Sequence, residues 1–455
     1  MKIRLERYTI HAKKAIKIAI PIVVAEAGTQ LTHVADSIMV GNVSALHLAA
    51  SSLANYIFLI PLLFGMGSTM AITPLAGTAN GKQDLEECKT IFSNAFFLQL
   101  ANGILLTCVV LAVGFLIPFL DSDAKKTALA QSYFNYLALS TLPIILLFTI
   151  KSYFDGFGFT VYGMIVIILG NVINVFFNWI LIYGKLGFPA LALDGAGIAT
   201  LISRICMLIF FVCIAIFTPK LRKIIELPKL AKVAKDKIIN FYKIGFNVGV
   251  QTSVEVAAFS LIVIFAGWLG ITSAAAYQIA ISISGMAYLS AIGIGAASTV
   301  LISTYNGARQ IGNIIDGSFA LSWMTTIFMF LCSIILISTR FILPPIFVNE
   351  YEVIEIASTL ILMLALFQIP DGLNVTFTGI LRGLLDTKIP MIINSISFWV
   401  LMIPLAYFLA FKLDFGIYGV MLGVVMGIFV CAIAIFVRYR QVLKTFIIKL
   451  RTGDY

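Results

Sequence analysis

Long apolar runs recur about twelve times along the chain, separated by short polar stretches, with no soluble domain between them. About 20 apolar residues cross a hydrocarbon core as a helix, so the pattern predicts about twelve membrane-spanning helices. The first, from about Ala15 to Val40, carries Glu26, Thr29 or Gln30, His33 and Asp36 three or four residues apart, which places them on one stripe. The second, about Leu46–Ala76, ends at a turn over Gly77–Gln83; the third and fourth lie near 89–120 and 128–150 and flank an outer loop, Asp121–Lys126. Lys151–Gly156 reads as an inner loop, with Asp155 as a turn or cap residue first and a gate second. The fifth span aligns Asn171, Asn174 and Asn178 at i, i+3 and i+7, and the sixth begins at Asp194.

The seventh span, Asn247–Trp268, is apolar except for Asn247, Gln251 and Glu255 at i, i+4 and i+8, one face of a helix. The eighth puts Tyr277, Ser284 and Tyr288 on one face, with Gln278 and Ser282 beside them. In the tenth, Phe367-Gln368-Ile-Pro370-Asp371, the proline lacks an N–H and displaces the Leu366 carbonyl, which predicts a kink beside a carboxylate. The last two, near Ile389–Phe411 and Phe415–Val437, read as structural.

The second half repeats the first. Gly65-Met-Gly67 followed by Asn80-Gly81-Lys-Gln83 returns as Gly293-Ile-Gly295 followed by Asn306-Gly307-Ala-Arg-Gln310, and Gly195-Ala-Gly197 as Gly416-Ile-Tyr-Gly419. The offset stays near 227 residues. Duplication of an even number of spans predicts an all-α polytopic membrane protein of twelve transmembrane helices in two pseudo-symmetric six-helix lobes around a central cavity. The expected N-terminal lobe covers residues 1–218, a basic cytoplasmic linker 219–238, and a C-terminal lobe with a basic tail 239–455.

Composition excludes a soluble domain, since 60% of the 455 residues are hydrophobic and only 11% charged, too few to cover a wetted surface. The net charge of +10 follows from topology: with both termini cytoplasmic, 25 of the 31 Lys and Arg fall inside, 5 outside, and Arg204 lies within a span. Basic loops on anionic membrane lipids account for the charge without nucleic acid. The basic start, Met1–Lys17, is followed by a long apolar run with no small-residue cleavage site, so no cleavable leader is expected. The six cysteines form no CxxC and read as packing residues.

A carboxylate at bilayer depth costs at least ~2.5 kcal/mol, so Glu255, Asp36 and Asp371 should face a bundle interior or a wet cavity, where they can bind a cation or a proton. The alternative is a neutral carboxyl hydrogen-bonded between helices. His33, one turn before Asp36, either tunes its titration or is an interhelical hydrogen-bond partner, and Glu26 lies near the interface. The asparagines need partners, and helix-to-helix bonding is the common one. Tyr277 and Tyr288 either hold organic cations or fill space. Because Pro370 frees a carbonyl beside Asp371, a cation-binding geometry is available there. No HExxH, nucleophile-elbow or clustered Cys/His pattern points to an enzyme.

Ala35-Asp36-Ser-Ile-Met-Val-Gly41, Ser152-Tyr-Phe-Asp-Gly156, Asn174 with Asn178-Trp179-Ile-Leu-Ile-Tyr-Gly184, Glu255, Ala276-Tyr-Gln278, Asp371 and Leu381-Arg382-Gly383 occur in this order. Together they resemble the multidrug and toxic compound extrusion family, NorM-type branch, over essentially the whole chain. The resemblance implies a monomeric inner-membrane antiporter that expels organic cations in exchange for Na⁺ or H⁺, with no cofactor. It assigns Glu255 and Asp371 to a C-lobe cation site, as carboxylate ligands if the ion is Na⁺, and Asp36, Asn174, Asn178 and Thr200 to an N-lobe site. The expected substrate cavity comprises Tyr277, Gln278, Ser284, Tyr288, Phe367 and Gln368, with His33 and Pro370 modulating. Some members of the family carry tyrosine where this chain has Phe367, and His33 has no counterpart in the family pattern. A lipid-linked precursor flippase of the same superfamily is the alternative, though anionic cargo calls for more intramembrane Arg or Lys than Arg204 alone.

Overall fold

The computed structural model describes residues 2–119, 123–229 and 232–452, with side chains from 6 to 448. Asp121 and Ser122 of the expected outer loop lie outside the described residues, as do the side chains of Lys2, Arg4, Lys449 and Arg451. The fold is all-α, with no strand among the described residues. Among the described residues, twelve segments are long and apolar enough to cross a membrane. In chain order the helices are α1 (Lys2–Gly41), α2 (Ala45–Thr69), α3 (Ile72–Lys82), α4 (Leu85–Gly114), α5 (Ala124–Leu139), α6 (Thr141–Gly156), α7 (Thr160–Tyr183) and α8 (Ala192–Phe217). After the short α9 (Pro219–Arg222) come α10 (Lys235–Trp268), α11 (Ile271–Gly307), α12 (Ile311–Thr339), α13 (Tyr351–Gly383), α14 (Lys388–Ser395), α15 (Ile403–Tyr407) and α16 (Gly416–Thr452). Two expected spans are helix pairs: α2 with α3, and α5 with α6, which break at Met70–Ala71 and at Ser140.

Contacts divide the chain into two compact units, Pro21–Gly249 and Met1–Ile20 with Val250–Tyr455. These limits differ from 218 and 239 because α1 and α10 each belong in part to either unit. The segment expected as a linker is bound to the first unit by hydrogen bonds. Asn94 donates to the Lys232 carbonyl at 3.0 Å and accepts from the Ala234 N–H at 3.0 Å, while the buried Tyr153 hydroxyl lies 2.7 Å from the Ile224 carbonyl. Lys229 and Lys232 pair with Glu226 and hold its carboxyl down at about 2. Its folded-state value is depressed, so this clamp is complete above the ordinary carboxylate range and is lost only as pH falls through about 2.

In the same unit α10 crosses α2 at glycines. A Cβ on Gly67 would sit 2.8 Å from the Gly249 Cα, and one on Gly249 would sit 2.9 Å from the Phe64 carbonyl, so only hydrogen fits at this crossing. In the other unit, the basic start of α1 continues the first helix rather than preceding it. His11 Nδ1 lies 2.9 Å from the Tyr305 hydroxyl, Tyr8 packs on Phe319 with ring centroids 4.8 Å apart, and Arg7 reaches Asp316 at 3.8 Å. Here α11 and α13 meet at Gly295 and Gly379, and Thr299 donates to the Gly379 carbonyl at 3.0 Å. The helix α13 is unbroken through Pro370.

The span after α13, which from sequence reads as plain structure, departs from a simple helix. Ile396–Met402 and Phe408–Lys412 are π-helical and flank α15. Gly419, Gly423 and Gly427, one turn apart on α16, let it approach this widened backbone: a Cβ on Gly423 would lie 2.5 Å from the Ala406 Cα.

Candidate functional site

In the first unit, α1 and α7 build an oxygen- and amide-rich cluster. Asn178 Nδ2 donates to Asp36 Oδ1 at 2.5 Å and to Asn174 Oδ1 at 3.1 Å, as expected from one turn of helix between the two asparagines. Both asparagines are buried and Asp36 is half-buried. Asn178 Oδ1 and Asn171 Nδ2 are buried without a hydrogen-bond partner. Thr200 on α8 donates to its own helix, at the Ala196 carbonyl, 2.9 Å away. One turn further along α8, Arg204 donates to Ser140 Oγ at 2.5 Å, at the α5–α6 break, lies 5.5 Å above the Phe58 ring, and acts electrostatically on Asp36. An arginine and an aspartate half-buried in the same apolar lobe should compensate one another, a signal present in the sequence that the spacing of motifs alone does not expose. His33 is exposed, and among the described residues its ring forms no hydrogen bond to Asp36.

Lys151 and Asp155 overturn the expected inner loop. Both lie in α6, which runs to Gly156, and Lys151 Nζ meets Asp155 Oδ2 at 2.8 Å with side chains only 10% and 9% exposed. Glu26 on α1 is close enough to act on Lys151. Gly163 on α7 leaves room for the lysine stem, since a Cβ there would meet Lys151 Cγ at 3.2 Å. The physical reason is the i,i+4 spacing: a lysine and an aspartate one helical turn apart neutralise each other, so the helix can carry both into the bundle.

In the second unit, three helices converge on the two expected acids. Tyr288 on α11 donates to Glu255 Oε1 on α10 at 3.2 Å, and Asp371 on α13 lies within electrostatic reach of Glu255. Both carboxylates are half-buried. In the same unit Gln368 Nε2 donates to Ser284 Oγ at 2.7 Å, and Cys431 Sγ donates to Asn394 Oδ1 at 3.0 Å and to Asn374 Oδ1 at 3.6 Å. Arg382, noted in the sequence only as part of a motif, acts on Glu255 and Tyr288. Trp399, in the first π-helical stretch, donates from Nε1 to the Val254 carbonyl at 3.0 Å and so fixes the turn of α10 that presents Glu255. Of the remaining expected residues, Tyr277 and Phe367 are packed inside the unit at 1% and 4% exposure, whereas Gln278 is exposed and donates to Ser282. The arrangement sets two carboxylates within electrostatic reach of each other, one of them accepting from Tyr288.

Curated relatives align along nearly the whole chain. The Multidrug resistance protein NorM of Aliivibrio fischeri is 28% identical over 437 residues, 94% of each chain, and that of Vibrio cholerae is 27% identical over 436 residues, 94% of this chain and 95% of the relative. Among solved structures, a MATE in the bent conformation superposes with a TM-score of 0.87 at 18% identity over 99% of both chains. A eukaryotic MATE transporter superposes with a TM-score of 0.85 at 19% identity over 97% of this chain and 99% of that one. The MatE family model matches twice, over residues 21–180 and 248–408, the spacing at which the glycine and asparagine patterns repeat. Because these two matches take in both copies of the duplicated helices, the chain belongs to the MatE family, the multidrug and toxic compound extrusion transporters.

Proposed function

We propose that this protein is an antiporter of the inner membrane that expels organic cations in exchange for Na⁺ or H⁺ by alternating access, with both termini cytoplasmic. The observation that carries the reading is the pair Glu255 and Asp371, two carboxylates held within electrostatic reach of each other in a chain of this family. An ion or proton entering the pair reduces the repulsion between them, and a cationic substrate competes for the same charge, so loading one favours release of the other. The curated relatives are named multidrug resistance proteins, which favours efflux of drugs over flipping of lipid-linked precursors. The orientation rests on the distribution of basic residues, 24 inside to 5 outside once Lys151 is placed within α6. Efflux of a fluorescent cation from proteoliposomes, with sodium and proton gradients imposed separately, tests the reading. Exchange driven by one of the gradients supports it, and conductance without exchange or efflux indifferent to both rejects it.

The cluster at Asp36 is read as a second proton- or ion-responsive centre. As a carboxylate, Asp36 accepts from Asn178 Nδ2; once protonated it needs an acceptor, and Asn178 Oδ1 is available after an amide flip. Asp36→Asn is expected to slow efflux by roughly fivefold or more, the low end of a ~1 kcal/mol coupling, and to flatten its pH dependence. An unchanged rate and profile would leave coupling to the other unit alone.

His33 is expected to shape the same profile, since imidazole is the side chain that ordinarily changes charge between pH 5 and 8. Replacement by Phe should shift or flatten the pH dependence between about pH 5.5 and 8.5 while efflux at the optimum stays within about twofold of wild type. Superimposable curves would reduce His33 to a packing residue.

A further inference from the structure

Between α12, α13 and α16 of the second unit lies a groove of about 1460 Å³, above the ~300–1,000 Å³ usual for small-molecule sites. Its walls are apolar along most of their length, with Trp323, Pro370, Ile433 and Phe436 among them, and carry two cations, Arg440 and Lys444, with Ile447 and Ile448 beyond them. No Asp or Glu lines it. The two cations are one helical turn apart, and among the described residues neither forms an ion pair with a carboxylate. Arg438, between the apolar wall and these cations in sequence, is by contrast bound to Asp386 at 2.7 Å. From Phe429 to Val437 the apolar stripe of α16 rises about 12 Å at ~1.5 Å per residue, close to the ~15 Å of one leaflet's hydrocarbon.

We propose that this groove binds an anionic phospholipid of the cytoplasmic leaflet, with the acyl chains against α12 and α13 and the phosphate between Arg440 and Lys444. The leaflet assignment rests on the orientation argued above; the headgroup preference does not. Charge selects the occupant. A cationic transport substrate would meet two like charges and no carboxylate, whereas a phosphodiester gains two charge-assisted partners at the depth where headgroups lie. The inner end of the groove is Pro370, so the acyl chains bear on the turn of α13 that carries Asp371.

Trp323 reports directly on occupancy. The protein is reconstituted in nanodiscs of unbrominated lipid containing increasing fractions of brominated phosphatidylglycerol or brominated phosphatidylcholine. Quenching in wild type minus quenching in Trp323→Phe isolates the groove signal. Half-maximal quenching should require roughly ten- to thirtyfold less phosphatidylglycerol than phosphatidylcholine, since each basic residue at the surface contributes a factor of about five. That preference should fall to about one in the variant R440Q/K444Q, while quenching by either lipid persists. Equal quenching by both lipids in wild type would mean ordinary annular contact and overturn the proposal, as would absence of quenching, which would mean that something else fills the groove. A preference unchanged in R440Q/K444Q would remove the assignment of the headgroup to these residues. Nanodiscs expose both leaflets alike, so the outcome does not depend on orientation, which a C-terminal reporter fusion in cells reads separately.

Discussion

Glu255→Gln and Asp371→Asn are each expected to cut coupled efflux sharply while the protein still folds. Each substitution keeps the shape and removes only the charge, and Tyr288 can donate to the amide oxygen of the introduced glutamine as it does to Glu255 Oε1. Holding a carboxylate at bilayer depth costs at least ~2.5 kcal/mol, so its loss should leave thermal stability unchanged or raised. Transport should instead fall toward the level of empty vesicles, by roughly 5- to 150-fold, the range of a ~1–3 kcal/mol coupling between sites. The measurement is initial efflux from proteoliposomes under the driving gradient, with thermal stability as the folding control. Near-wild-type efflux by both variants would make these acids structural hydrogen-bond partners and leave the coupling centre elsewhere.

Lys151→Met is expected to destabilise the first unit strongly. The lysine neutralises Asp155 at 2.8 Å and also acts on Glu26, and the pair is almost wholly enclosed. Removing one partner of a buried pair leaves an uncompensated charge, a loss of about 3–5 kcal/mol. Replacing both, as Lys151→Met with Asp155→Leu, removes the desolvation cost along with the attraction and should return stability to within about 1–2 kcal/mol of wild type, because apolar isosteres of a buried pair are often neutral or better. Thermal unfolding of the two variants and wild type in one detergent decides the matter. A Lys151→Met protein as stable as wild type would show that water reaches the pair and solvates Asp155 unaided.

The helices of this protein were legible in its sequence because the bilayer allows few solutions: a long apolar run with few charges satisfies its backbone as a helix, and twelve such helices occur among the described residues. The duplication and the acids Asp36, Glu255 and Asp371 were legible for the same reason, as glycines and charges stand out against an apolar background. Partnership was not. Arg204 lies 168 residues from Asp36, and Trp399 is 145 residues from Val254, separations that no local pattern encodes. Lys151 and Asp155 were misread because their charge suggested a loop, whereas the packing of α6 encloses both and makes them a pair. The π-helical stretches between α14 and α16 pack closely against Gly419 and Gly427, contacts with a helix further along the chain that local residue preference does not announce. The assignment of the first twenty residues and of the basic segment before α10 to particular units likewise depends on contacts at His11, Tyr153 and Asn94. Periodicity and hydrophobicity act within one helix, so the sequence alone determined the elements and the rare charges they carry. Which of those charges meet, and which surfaces they leave open, depends on contacts between residues far apart in the chain, and only the tertiary structure decided it.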